Sequence, residues 1–141
     1  MKKFLLLTIA LVSLFACSSD DDNNVQDEQN KIIGTWRLAA NIVDGEAEEL
    51  DSCDLQTTFK FEQENNVFYA TIYYSNTSGS CTYEASMGSW EWIGDNTIKV
   101  SAGTETLDFE VSYEYGNLNL TFNDGTEEEP FYVLQSFIKV N

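Results

Sequence analysis

Three cysteines and a large excess of carboxylates are the side chains of this 141-residue chain that could do chemistry. There is no histidine, which removes the commonest general base and the commonest metal ligand. The chain lacks a Gly-x-Ser-x-Gly turn to present a nucleophilic serine, a phosphate-binding Gly-Lys-Ser/Thr loop and any Cys-His grouping. Its 24 acidic residues offer many carboxylate pairs. Acid–base catalysis needs two of them held in environments that split their pKa values, and abundance does not supply that. The chain is therefore expected to bind rather than catalyse, with no cofactor and no metal. A net charge of -17 repels phosphate backbones and argues against nucleic acid as a partner.

The first cysteine, Cys17, has a defined context. Lys2 and Lys3 precede an apolar run from Phe4 to Phe15, interrupted only by Thr8 and Ser13. That run is too short to cross ~30 Å of hydrocarbon as a helix, so residues 1–16 read as a signal peptide. Leu14-Phe15-Ala16-Cys17 resembles a bacterial lipoprotein lipobox, which implies that Cys17 becomes the mature N-terminus and carries acyl chains such as palmitate. The following Ser18-Ser19-Asp20-Asp21-Asp22 is similar to the signal that sends Bacteroidetes lipoproteins to the outer face of the outer membrane. The resemblance implies a lipid-anchored outer-membrane protein exposed at the cell surface, or otherwise facing the periplasm. Several acyl chains, at ~0.8 kcal/mol per buried CH₂, hold a protein on a membrane without a spanning helix. Residues 17–30 are polar and aromatic-free, a composition expected to form a disordered acidic tether.

Removing Cys17 from the count leaves Cys53 and Cys81, an even number in an oxidising compartment. A disulfide between them would close a loop of about 29 residues and contribute roughly 3.5 kcal/mol by the loop-entropy model. Two buried thiols are the alternative.

These residues must be positioned by strands. Leu107, Phe109, Val111, Tyr113 and Tyr115 alternate with Asp108, Glu110, Ser112 and Glu114, the pattern of a strand with one buried face. Leu118, Leu120 and Phe122 continue it beyond a Gly116-Asn117 turn, and Leu55, Thr57, Phe59 and Phe61 alternate in the same way. No stretch beyond the signal sustains a helical period. The runs predict strands at about 32–42, 55–63, 67–74, 82–93, 96–101, 104–115, 117–123 and 131–140. Residues 31–141 are thus expected to be all-β, an eight-stranded antiparallel up-and-down β-barrel with no open edge, or alternatively a β-sandwich. A barrel of that size holds one small ligand.

Ile33-Gly34-Thr35-Trp36-Arg37-Leu38 opens the first strand with Gly-x-Trp, and Gly88-Ser89-Trp90-Glu91-Trp92-Ile93 runs into the turn Gly94-Asp95-Asn96. With the lipobox and a cysteine before the second and fourth strands, residues 31–141 resemble the small bacterial lipocalin-like lipoproteins. The resemblance implies that Gly34 and Trp36 close one end of the barrel. Where lipocalins usually place an arginine over that tryptophan, this chain has Lys139. The lining of a barrel cavity is expected from Phe59, Phe61, Trp90, Trp92, Phe109 and Tyr113.

Connections at one end of such a barrel are short (Glu64–Asn66, Gly94–Asn96, Gly116-Asn117), whereas those at the other are long (Val43–Asp54, Ser75–Cys81, Asp124–Pro130). Cys53 and Cys81 fall at the long-loop end, and long loops on a rigid scaffold are where binding usually sits. The tether joins strand one at the tight end, so the mouth should face away from the membrane. The mouth is acidic, with Asp44, Glu46, Glu48, Glu49, Asp51 and Asp54 in one loop and Asp124, Glu127, Glu128 and Glu129 in another. Such a rim repels free carboxylates and could attract a cation or a sugar. Tyr69, Tyr73, Tyr74 and Tyr83 could stack on a sugar face. Two functions are compatible with these features. One is a barrel that binds a small apolar or amphipathic molecule; the other is an interaction module that contacts an envelope protein or a glycan through its acidic loops.

Overall fold

The computed structural model describes Asp27 and residues 29–141. The signal segment, Cys17 and most of the tether lie outside the described residues. The strands are β1 (Gly34–Val43), β2 (Glu46–Ala47), β3 (Thr58–Phe61), β4 (Val67–Ser75), β5 (Cys81–Trp92), β6 (Thr97–Ala102), β7 (Glu105–Glu114), β8 (Asn117–Asn123) and β9 (Tyr132–Val140). Each barrel strand pairs antiparallel with the next, β1 to β3 and then onward to β9. β9 returns to pair with β1 over Thr35↔Val140 through Val43↔Val133. That last pairing closes an eight-stranded up-and-down barrel and leaves no sandwich edge. β2 is a two-residue extension of the mouth, folded back on β1 through a turn at Asp44-Gly45, both left-handed (φ 48° and 84°). Asp-Gly tolerates those angles and matches the twist of a tight hairpin.

The alternation on β7 and β8 is buried along its middle, at Phe109, Val111, Leu118 and Leu120, whereas Leu107 toward the mouth and Tyr115 in the turn, both expected on the buried face, are exposed. Two local expectations change. The β7–β8 turn is Tyr115-Gly116 (φ 51° and 84°), one residue earlier than expected, because Asn117 pairs with Glu114 as the first residue of β8. The second barrel strand is only Thr58–Phe61, since Asp54–Gln56 wind into a 3-10 turn.

The core lies in the closed half of the barrel. Ile32, Trp36, Phe61, Trp90, Ile98, Leu118 and Phe137 fill it, with Phe61 packed against Phe68 (ring centroids 5.1 Å) and Trp90 (5.6 Å). Among the described residues, the core cluster runs from Ile32 to Phe137 and the barrel pairings from Gly34 to Val140. β1 carries one bulge. Its register with β9 slips between Leu38 and Ala40, so Leu38 faces Phe137 but Asn41, not Ala40, faces Gln135. A bulge inserts one residue and re-aims the side chains beyond it. Here it turns Asn41 to the inner side of the barrel.

Candidate functional site

The two ends of the barrel differ in how completely their side chains are covered. At the closed end the Trp36 indole N–H donates to Ile32 O at 2.7 Å, and the Lys139 ammonium lies 5.1 Å from the Trp36 ring centroid. Trp90 donates to Glu62 O at 3.0 Å. Gly34 and Trp36 thus sit where the floor closes, beside Lys139.

At the mouth, inward positions lose their cover. On β4 the pairings resolve which parity faces in: Phe68 and Ala70 are buried on the inner face, and Ile72 continues that row at 47% exposed. On β7 the inner row runs from Phe109, buried, to Leu107, 41% exposed. Between these strands is a cavity of about 160 Å³. Its walls are Phe59, the β4 row and Ser86, then Val100, Ala102, Leu107 and Phe109, with Glu105 at the rim. A second cavity, of about 230 Å³, lies between the barrel and the β2–β3 loop. Leu38, Asn41 and Gln135 line it from β1 and β9; Glu48, Glu49, Leu50 and Asp54 line it from the loop. Phe59 and Ile72 line both, so the two cavities adjoin at the mouth as neighbouring lobes. Neither lobe alone reaches the ~300 Å³ at which small-molecule pockets usually begin.

The loop over the second lobe is pinned at several points. Cys53 and Cys81 form a disulfide with Cα atoms 5.3 Å apart, tying the loop to the first residue of β5. Asp51 Oδ1 accepts from the backbone N–H of Cys53 (2.6 Å) and Asp54 (2.9 Å), while Asp54 Oδ2 accepts from the Asp51 N–H (2.9 Å). Ser75 Oγ donates to Asp51 Oδ2. Donors concentrated on one carboxylate, chiefly the Ser75 hydroxyl and then the two amides, hold the Asp51 pKa below its ordinary 3.8. These bonds explain why Asp54–Gln56 form a turn rather than the start of a strand. They also divide the acidic mouth. Asp51 and Asp54 are engaged in the turn, and Asp44 brackets Tyr132 by accepting its N–H at 3.1 Å and donating to its carbonyl at 3.0 Å. Glu127, Glu128 and Glu129 stand exposed in the β8–β9 connection.

Of the six residues expected to line a cavity, Phe59 and Phe109 do so. Phe61 and Trp90 belong to the packed floor, and Trp92 and Tyr113 line a separate cavity of about 260 Å³ at the closed end with Asp95 and Asn96. The four tyrosines do not make one platform. Tyr73 lines the second lobe and pairs with Tyr83 at a centroid distance of 5.4 Å, Tyr69 lies under Lys60, and Tyr74 follows Ile72 on the inner row. Among the described residues, no group of three or more acidic or cysteine side chains is placed to hold a metal ion. The sequence reading missed Ile72 and Leu107, although both continue rows (Phe68-Ala70 and Phe109-Val111) that alternation marks as inward. It also missed Asn41, which only the bulge turns inward.

Residues 32–136 match the model of the lipocalin-like domain. The chain belongs to the lipocalin-like domain family. Solved structures agree on the fold of this lipocalin-like barrel. The bovine lipocalin allergen Bos d 2 superposes with a TM-score of 0.51 at 15% identity, over 79% of this chain and 74% of that one. An odorant-binding protein from bovine nasal mucosa gives 0.50 at 14% identity, over 80% and 74%. Among curated proteins no sequence match is found.

Proposed function

We propose that this lipocalin-like protein is a lipid-anchored binding barrel of the outer cell envelope that holds a small apolar or amphipathic molecule in its two-lobed mouth. The observation that carries the reading is the half-covered inner row, Ile72 at 47% and Leu107 at 41% exposed, beside a floor packed around Phe61. Inward apolar side chains left uncovered inside a rigid, disulfide-braced opening lose part of their burial until a ligand supplies it. The proposed anchor at Cys17 rests on the residues around it. Residues 29–31 lead into β1 at the closed end, the end opposite the mouth, which suits capture from outside. The role is binding, not catalysis.

Native mass spectrometry of residues 18–141, incubated with lipid extract of the source envelope, tests it. A stoichiometric small-molecule adduct is expected, and Ser86→Trp, which fills the first lobe from an exposed inward position, should remove it. Repeated absence of an adduct from folded, disulfide-intact protein would favour the alternative of an interaction module acting through Glu127, Glu128 and Glu129.

A further inference from the structure

The two lobes differ in chemistry. Eight of the ten residues around the first lobe are apolar, with Ser86 and Glu105 the exceptions. The second lobe carries three carboxylates, Glu48, Glu49 and Asp54, beside the apolar Leu38, Leu50, Phe59 and Ile72. Asn41 adds to the acceptors: its Nδ2 donates to Glu48 Oε2 at 2.6 Å, leaving Oδ1 buried with no donor among the described residues.

No cation among the described residues balances this wall. All five basic residues from 29 to 141 are elsewhere. Lys31 lies 5.9 Å from the Tyr113 ring centroid and Lys139 covers Trp36, both at the closed end. Lys60 pairs with Glu62 at 2.5 Å, Lys99 lines an outer groove with Glu91, and Arg37 lies on the outside beside Leu55 and Ile138. A cavity with carboxylates on low-dielectric walls concentrates its field in the opening. There a negative head group meets like charge and loses part of its hydration without a partner. An ammonium gains on both counts.

We infer that the mouth selects a cationic amphiphile, an alkyl amine in chemical class, with its apolar end in the first lobe and its ammonium against Glu48 and Glu49 in the second. This rests on the proposal that the mouth is a small-molecule site, and the test separates the two. Octylammonium, octanol and octanoate share one apolar chain and differ in head-group charge. Binding of each to residues 18–141 would be measured by titration calorimetry at neutral pH and low salt. The expected order is octylammonium tightest, by about tenfold over octanol, with octanoate weakest. Glu48→Gln with Glu49→Gln should erase the amine's advantage and leave octanol unchanged. In the unaltered protein, raising salt should weaken octylammonium but not octanol, a readout that stands even if the double variant does not fold. Octanol bound as tightly as the amine, or an amine affinity indifferent to salt, overturns the charge selection while the mouth remains a binding site. No binding of any of the three to folded, disulfide-intact protein overturns both.

Discussion

The stem of Lys139 passes over Gly34 on its way to the Trp36 ring: a Cβ on Gly34 would lie 3.0 Å from Lys139 Cε, and the ammonium reaches 5.1 Å from the ring centroid. Gly34 also holds φ at 131°, which side chains rarely adopt. The glycine is therefore required for its backbone, and a side chain there would also push the end of Lys139 aside by a few tenths of an ångström. The Trp36 indole N–H, donated to Ile32 O, fixes the ring that the lysine covers.

Substitutions at this floor should rank in a fixed order. Lys139→Ala is expected to lower unfolding free energy by roughly 0.5–1 kcal/mol, the worth of an exposed cation–π contact. Lys139→Arg should hold or exceed the original value, because a planar guanidinium stacks on the ring. Gly34→Ala should cost more, about 1–3 kcal/mol, through backbone strain and displacement of the lysine. Urea denaturation at one pH and salt concentration checks the ranking. Gly34→Ala as mild as Lys139→Ala would refute it.

Removing the Cys53–Cys81 bridge acts on the mouth more than on the floor. Cys53→Ala with Cys81→Ala is expected to cost about 2–4 kcal/mol, mostly by freeing the unfolded chain. In hydrogen exchange the amides of Gln56 and Thr57, which donate to Cys53 O and Asp54 O, should lose protection first. Those of β7 and β8 should exchange only through global unfolding. Uniform loss across the barrel would mean that the bridge braces the whole fold.

The hydrogen bonds to Asp51 predict a direction with pH. Its folded pKa is held below the ordinary 3.8, first by the Ser75 hydroxyl and then by the Asp54 and Cys53 amides. A depressed carboxylate contributes stability that is fully present above 3.8 and is lost as pH falls through the folded value. Ser75→Ala should move the Asp51 titration back up toward 3.8. Carboxyl chemical shifts followed by NMR report this directly, and an Asp51 that titrates at or above 3.8 in the unaltered protein would contradict the account.

How much of the fold and site was legible in the sequence depends on the range of the forces involved. Alternation is local, so Phe109-Val111 and Leu118-Leu120 announced both a strand and its buried face. Closure was implied by the number of strands and the absence of an edge. The Asp54–Gln56 turn depends on Asp51 meeting Ser75, 24 residues away, and no local pattern carries that. The bulge at Ala39 is likewise silent, since continuous alternation from Trp36 would turn Ala40 and Ile42 inward in place of Asn41. The division between packed floor and open mouth was hidden for a different reason. Phe61 and Phe59 lie on the same inner row and differ only in height within the barrel. Sequence gives the face of a strand residue but not how many layers lie above it.

That difference in height makes the last prediction. Phe61 is 1% exposed and enclosed by Phe68 and Trp90, so Phe61→Ala should leave a cavity and cost about 3–5 kcal/mol. Leu107, 41% exposed at the rim of the first lobe, should cost about 1 kcal/mol or less when cut to alanine. Affinity for a bound amphiphile should run the other way. Leu107→Ala removes contact area from the ligand and should weaken binding roughly five- to thirtyfold, corresponding to about 1–2 kcal/mol. Phe61→Ala, measured where it is still folded, should change affinity by no more than about threefold, less than 1 kcal/mol. Denaturation and calorimetry on the same two variants read both quantities. Equal losses of affinity would mean that floor and mouth behave as one continuous core, and the binding site would then have to lie elsewhere than between Phe59 and Leu107.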